Sequence, residues 1–219
     1  MPAAVAEYVK HDNFSVARVV QLEILNAYER DFAKHAPPQE VMKITTVWNQ
    51  VHRQLAKENK KFSFSAIRKS SRGRDYVDAI QWLVDAGLLY KNNFVEVPKF
   101  PLSAYADTIR LRFFCLMLAC LAYKSLLSAR MIIEGNSLFT EFKGALTENH
   151  VAQELVASGS KKLYYWASEG TAELDFLFED DHEIYPLEAE AGESQRKKSL
   201  LVYGQKYNPS VLYRTTLMN

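Results

Sequence analysis

The chain has 219 residues, with 27 Lys and Arg against 26 Asp and Glu, a formal net charge of +1. At 48% apolar and 24% charged residues it has the composition of a globular protein, long enough to bury a core without disulfide or metal staples. Collagen-like, disordered, disulfide-scaffold and uniformly polybasic classes are excluded.

Residues 1 to about 36 are expected to be helical. Asp12 or Asn13 is placed to cap a helix in which Val16, Val19, Val20, Leu22, Ile24, Leu25 and Tyr28 recur near a 3.6-residue period. Pro37-Pro38 ends it, and Pro38 suits the first turn of a second helix reaching about Asn59. Ser63 and Ser65 are candidate caps for a short helix through Ile67, which breaks at Ser70–Gly73. An amphipathic helix with Tyr76, Ile80, Leu83 and Val84 then ends near Gly87. Leu88–Tyr90 and Phe94–Val97 read as two strands around Asn92-Asn93, a good hairpin turn. Three helices followed by a hairpin is the pattern of a winged helix-turn-helix.

Pro98 and Pro101 make a stiff connector, and an apolar helix is expected over about Thr108–Leu127. Its apolar run, Phe113–Tyr123, lies between Arg112 and Lys124 and falls short of the ~20 residues that cross a bilayer. Cys115 and Cys120 lie in this run and read as core cysteines, since the five scattered histidines offer no zinc-ligand spacing. Another helix is expected over Leu138–Ala157, after which the apolar period changes from 3.6 to 2. Leu163–Trp166 reads as a strand. Glu173–Phe178 reads as a second, with Glu173 and Asp175 on one face and Leu174, Phe176 and Phe178 on the other. A turn at Asp180-Asp181 leads to a third strand, Glu183–Ala191, then a helix over Lys197–Lys206 and a last strand over Val211–Leu217. The fold class is α+β. The expected parts are a helical lid-like segment (1–45), a winged helix (46–100) and an α/β domain (101–219). Met1–Val5 lacks a basic stretch leading into a long apolar one, so no secretory signal is read and the cytoplasm is the expected compartment.

The net charge of +1 hides a segregation. Between Arg53 and Arg74 stand eight basic residues and one acidic; between Glu173 and Glu193 stand nine acidic residues and no Lys or Arg. Within the basic cluster, Arg68, Lys69, Arg72 and Arg74 fall where a recognition helix would begin, and such side chains neutralise DNA phosphates. The alternative is a solvated face on a packing module. Within the acidic cluster, Asp175 and Glu188 are candidate ligands of a hard divalent cation such as Mg²⁺. Charges around a surface turn account for Glu179–Glu183, but less well for Asp175 in an apolar strand.

Several separated motifs occur in order: Phe142–Leu155, Leu163–Trp166, Ala172–Phe176, Pro186–Gly192 and Lys198–Leu200, and upstream Ala27-Tyr28, Asp31–His35, Arg72–Tyr76 and Trp82–Leu88. Together they resemble the C-terminal portion of a bacterial and archaeal family of AAA+-type ATPases. The resemblance implies a lid piece, a winged helix and a domain of unknown function with a PD-(D/E)XK, restriction-endonuclease-like fold. No G-x-x-x-x-G-K-[ST] is present, so ATP hydrolysis by this chain alone is not expected. In the nuclease-like pattern Glu148, Asp175 and Glu188 match, whereas Glu190 stands at the lysine position. That lysine supplies a cation near the attacked phosphate, and a carboxylate there opposes the chemistry. Arg196, Lys197 or Lys198 would be substitutes. Met117 and Ala119 also stand where the resemblance has Asp and Gly.

Three functions follow as expectations. The first is a non-catalytic DNA- or partner-binding module with a degenerate nuclease-like domain and no cofactor. The second is a Mg²⁺-dependent nuclease with a relocated lysine. The third is a protein-interaction module docking on a related ATPase through the apolar segment 109–127.

Overall fold

A computed structural model describes residues 2–55, 64, 67, 72–115, 137–160, 162–191 and 198–216. The chain divides into two compact units. One comprises Met1–Leu89 with Cys115–Phe142, the other Tyr90–Phe114 with Lys143–Asn219.

The described part of the first unit is built from α1 (Pro2–His11), α2 (Phe14–His35), α3 (Val41–Leu55) and α4 (Val77–Asp85). The expected N-terminal helix is two helices. Asp12 adopts a positive φ, and the Asn13 side chain accepts a hydrogen bond from the Ser15 N–H (2.8 Å), capping α2. The Pro37–Glu40 turn delays α3 to Val41. Phe32 of α2 is fully buried and meets Trp48 of α3 and Trp82 of α4 edge-on, at 5.9 and 5.6 Å between ring centroids. Ile44, Val47, Val51, Ile80 and Leu83 complete this core. Each large apolar side chain so buried contributes about 1.5–3 kcal/mol. Gly87, at φ +69°, closes α4, with the Leu88 N–H donating to the Leu83 carbonyl and the Gly87 N–H to that of Val84. The short helix expected around Ile67 lies largely outside the described residues.

The second unit holds a six-stranded mixed sheet in the order β2-β1-β3-β4-β5-β6. The strands are β1 (Leu89–Val95), β2 (Ala106–Cys115), β3 (Leu163–Ala167), β4 (Glu173–Asp180), β5 (Glu183–Glu190) and β6 (Tyr213–Thr216). Helix α5 (Ser137–Ala157) precedes β3, and α6 (Lys198–Tyr207) connects β5 to β6. Strands β3, β4 and β5 form an antiparallel meander, while β1 pairs parallel to β3 and β6 parallel to β5. The parallel β5–β6 pair requires a crossover, which α6 supplies. Val95, Leu102, Tyr164, Trp166, Leu174, Leu177 and Tyr203 of α6 belong to an apolar cluster of this unit.

The α+β class and the C-terminal order of helix, three strands, helix and strand agree with the sequence reading. Two expectations are corrected. The hairpin around Asn92-Asn93 does not form, because both residues lie inside β1, a continuous strand between β2 and β3. The wing of the expected winged helix is therefore part of the second unit's sheet. The helix expected from Thr108 is a strand as far as Cys115. Thr108-Ile109-Arg110-Leu111-Arg112-Phe113 alternates polar and apolar residues, a period that favours a strand over a helix. The remainder of that expected helix, including Cys120, Met117 and Ala119, lies outside the described residues.

Candidate functional site

The carboxylates singled out in the sequence are all buried in the second unit. Glu148 on α5, Asp175 on β4, and Glu188 and Glu190 on β5 are each less than 10% exposed. Buried carboxylates need compensation, since desolvating an unpaired charge costs several kcal/mol.

For Asp175 and Glu190 the compensation comes from two arginines. Arg112 projects from β2 with 1% of its side chain exposed. Its guanidinium lies 4.0 Å above the centre of the Tyr165 ring on β3. One nitrogen is 3.9 Å from Asp175 Oδ1, and another contacts Glu173. Burial pushes the Arg112 guanidinium below its ordinary pKa, while the charges of Asp175 and Glu148 push it back up. Arginine starts from so high a value that it keeps its proton. Arg214, on β6, donates from both Nε (3.0 Å) and Nη2 to Oε2 of Glu190.

The position of Asp175 follows from an irregularity in the sheet. Tyr164 pairs with Leu177 and Trp166 with Leu174, so β4 carries one residue more than β3 between those pairs. From this bulge the Asp175 side chain reaches the neighbouring strand, its Oδ2 accepting the Ala189 N–H of β5 at 3.1 Å. The fully buried Asn92 amide donates to the Asp175 carbonyl at 3.0 Å. Phe176, next in the chain, lies 5.4 Å from Phe114, two residues along β2 from Arg112. Asp175 and Phe176 thus both face the Arg112 side, and the expected strict alternation of β4 is corrected at this point.

The structure therefore brings Asp175 against the Glu188–Glu190 stretch and into the charge field that Arg112 shares with Glu148. Among the described residues, no three His, Cys, Asp or Glu side chains form a metal-ligand group. Arg214, on the strand after α6, is the described cation that reaches Glu190. Lys198 is exposed at the start of α6, and Arg196 and Lys197 lie outside the described residues. In the first unit, Arg72 precedes a short 3-10 turn, Gly73–Tyr76, and Arg74 lies within it. Arg72 is exposed, Arg74 is largely so, and the Arg72 N–H is held by Asp75 at 2.9 Å. Arg68 and Lys69 lie outside the described residues.

Sequence reasoning missed Arg112, Arg214 and Asn92. The alternation of Arg110 and Arg112 along an apolar segment was the available signal for the first, and Arg214 within the last expected strand for the second. Asn92 carried no local signal, because its partner lies 83 residues away.

The fold and site define an α+β protein whose mixed-sheet unit buries four carboxylates, two of them, Asp175 and Glu190, paired to its own arginines. The chain belongs to the family described as Domain of unknown function (DUF8612), whose model matches residues 1–114. A second family model, Domain of unknown function (DUF4143), matches residues 143–216. That domain is found in proteins associated with AAA-type ATPases, in loose agreement with the resemblance in the sequence. No curated protein and no solved structure matches the chain. Among the described residues no helix is long and apolar enough to cross a membrane.

Proposed function

We propose that the chain is a non-catalytic binding module. In this reading the basic segment of the helical unit contacts duplex DNA, and the sheet unit is a restriction-endonuclease-like fold without its cutting chemistry. The element order from α5 to β6, with an antiparallel meander and a parallel fourth strand, supports a PD-(D/E)XK-like core. The observation that carries the loss of catalysis is the pairing of Asp175 with Arg112 and of Glu190 with Arg214.

The Mg²⁺ implied by the resemblance does not suit this donor set. A cation on Asp175 would sit at close quarters with the Arg112 guanidinium, where like charges repel by several kcal/mol at an effective dielectric of about 20. Glu190, at the lysine position, is already paired with Arg214, so among the described residues that arginine's charge is engaged. DNA contact rests on Arg68, Lys69, Arg72 and Arg74, of which Arg72 and Arg74 are described and solvent-facing. A second reading, docking on an AAA-type ATPase, is favoured by the family match at 143–216.

Fluorescence anisotropy with a labelled duplex across a salt series tests the proposal. Binding that weakens steeply with salt is expected, with Arg72→Glu/Arg74→Glu flattening the slope by about one unit per lost phosphate contact. No binding at low salt removes the DNA function and leaves the ATPase-docking reading.

A further inference from the structure

Phe178 of β4, Tyr185 of β5 and Tyr213 of β6 form a three-ring surface cluster, with centroids 5.4, 5.6 and 5.8 Å apart. Tyr213 is 42% exposed and the other two rings are partly exposed. Val211 and Leu212 extend the apolar surface along the approach to β6, which is the last strand in the sheet order. Apolar contact area alone does not say what covers it. The charges around it do. Asp180, Asp181 and Glu183 surround the turn joining β4 to β5, and all three are exposed. Glu183 is fixed against this edge by a hydrogen bond from Ser210. The nearest arginine on β6, Arg214, is paired to Glu190. Elsewhere in this unit aromatic rings have the chain's own cations over them, Arg110 on Phe94, Arg112 on Tyr165 and Lys206 on Tyr207. Among the described residues no cation of the chain lies over Phe178, Tyr185 or Tyr213.

We infer that this acid-rimmed aromatic face docks a Lys- and Arg-bearing peptide segment of a partner protein. Cationic side chains would stack on Tyr213 and Tyr185 while their charges meet Asp180, Asp181 and Glu183. Aromatic faces attract cations, and a carboxylate rim adds long-range attraction that salt weakens. The surface is separate from the Asp175 site and does not depend on the DNA reading.

The test is anisotropy titration of the full chain with a labelled ten-residue peptide of alternating Lys, Arg and small apolar residues, against the same peptide with Glu for each cation. Saturable binding of the basic peptide only is expected, reduced at least tenfold by Asp181→Lys/Glu183→Lys and, separately, by Tyr213→Ala. Circular dichroism melts of each variant establish that the fold is kept, and Tyr213→Phe should retain binding if the ring face is what matters. Absence of saturable binding overturns the inference. So does binding that follows the charge reversals but is unchanged in Tyr213→Ala, which would mark a diffuse acidic attraction instead of a docking surface.

Discussion

At the residue scale, the account turns on Arg112. Its side chain is almost wholly buried, and Asp175 depends on it for charge compensation. Removing one partner of a buried pair strands the other, which costs about 3–5 kcal/mol, whereas replacing the whole pair is far milder. Arg112→Met is expected to lower the urea-unfolding free energy of the sheet unit by about that amount, with Asp175→Asn on the same background recovering part of it. A loss below about 1 kcal/mol would show that the pair holds nothing together. Alkaline pH tests the buried tyrosines in the same unit. Burial raises the phenol pKa of Tyr203, and also those of Tyr164 and Tyr165, above the ordinary 10.0. A folded-state pKa above the unfolded one means that stability is fully present below pH 10 and is lost as pH climbs toward the folded values. The part of the tyrosinate absorbance at 295 nm that comes from these buried rings should rise only together with loss of the helical circular dichroism signal. Ionisation of all 12 tyrosines in a still-folded protein would contradict this burial.

At the element scale, β1 is the sharpest departure from the sequence. Asn92-Asn93 carries turn chemistry, and nothing within ten residues argues otherwise. What decides the matter is non-local. The Asn92 amide reaches the Asp175 carbonyl, and the Asn93 amide donates to the Leu163 carbonyl at 3.0 Å. An internal strand position tolerates proline poorly because a ladder donor is lost. Asn93→Pro is expected to unfold the sheet unit at 25 °C, or at least to lower its melting temperature by more than 10 °C. A melting temperature unchanged within 2 °C would favour a turn at this position. By contrast, β3 to β6 were legible because period-two patterning and the Asp180-Asp181 turn are local signals. The bulge at Asp175 was not, since an extra residue leaves no mark in composition. The carboxylates of the site were legible one by one, Glu148 on a helix and Asp175, Glu188 and Glu190 on strands. Their pairing with Arg112 and Arg214 was not, because it is made by strands far apart in sequence.

At the scale of the whole molecule, a net charge of +1 combines a basic stretch in one unit with an acidic stretch in the other. Part of the acidic stretch is paired to arginine inside the sheet unit, and part is exposed around the β4–β5 turn. In the proposed reading, Glu190 stands where a nuclease-like site has its lysine, so the charge at that position is reversed. The claim that cutting chemistry has been lost is tested most directly by incubating the purified chain with supercoiled plasmid and labelled linear DNA in millimolar Mg²⁺ or Mn²⁺, beside an Asp175→Ala variant. The account predicts no cleavage above the protein-free control for either protein. Metal-dependent cleavage by the unmodified chain that disappears in Asp175→Ala would contradict it.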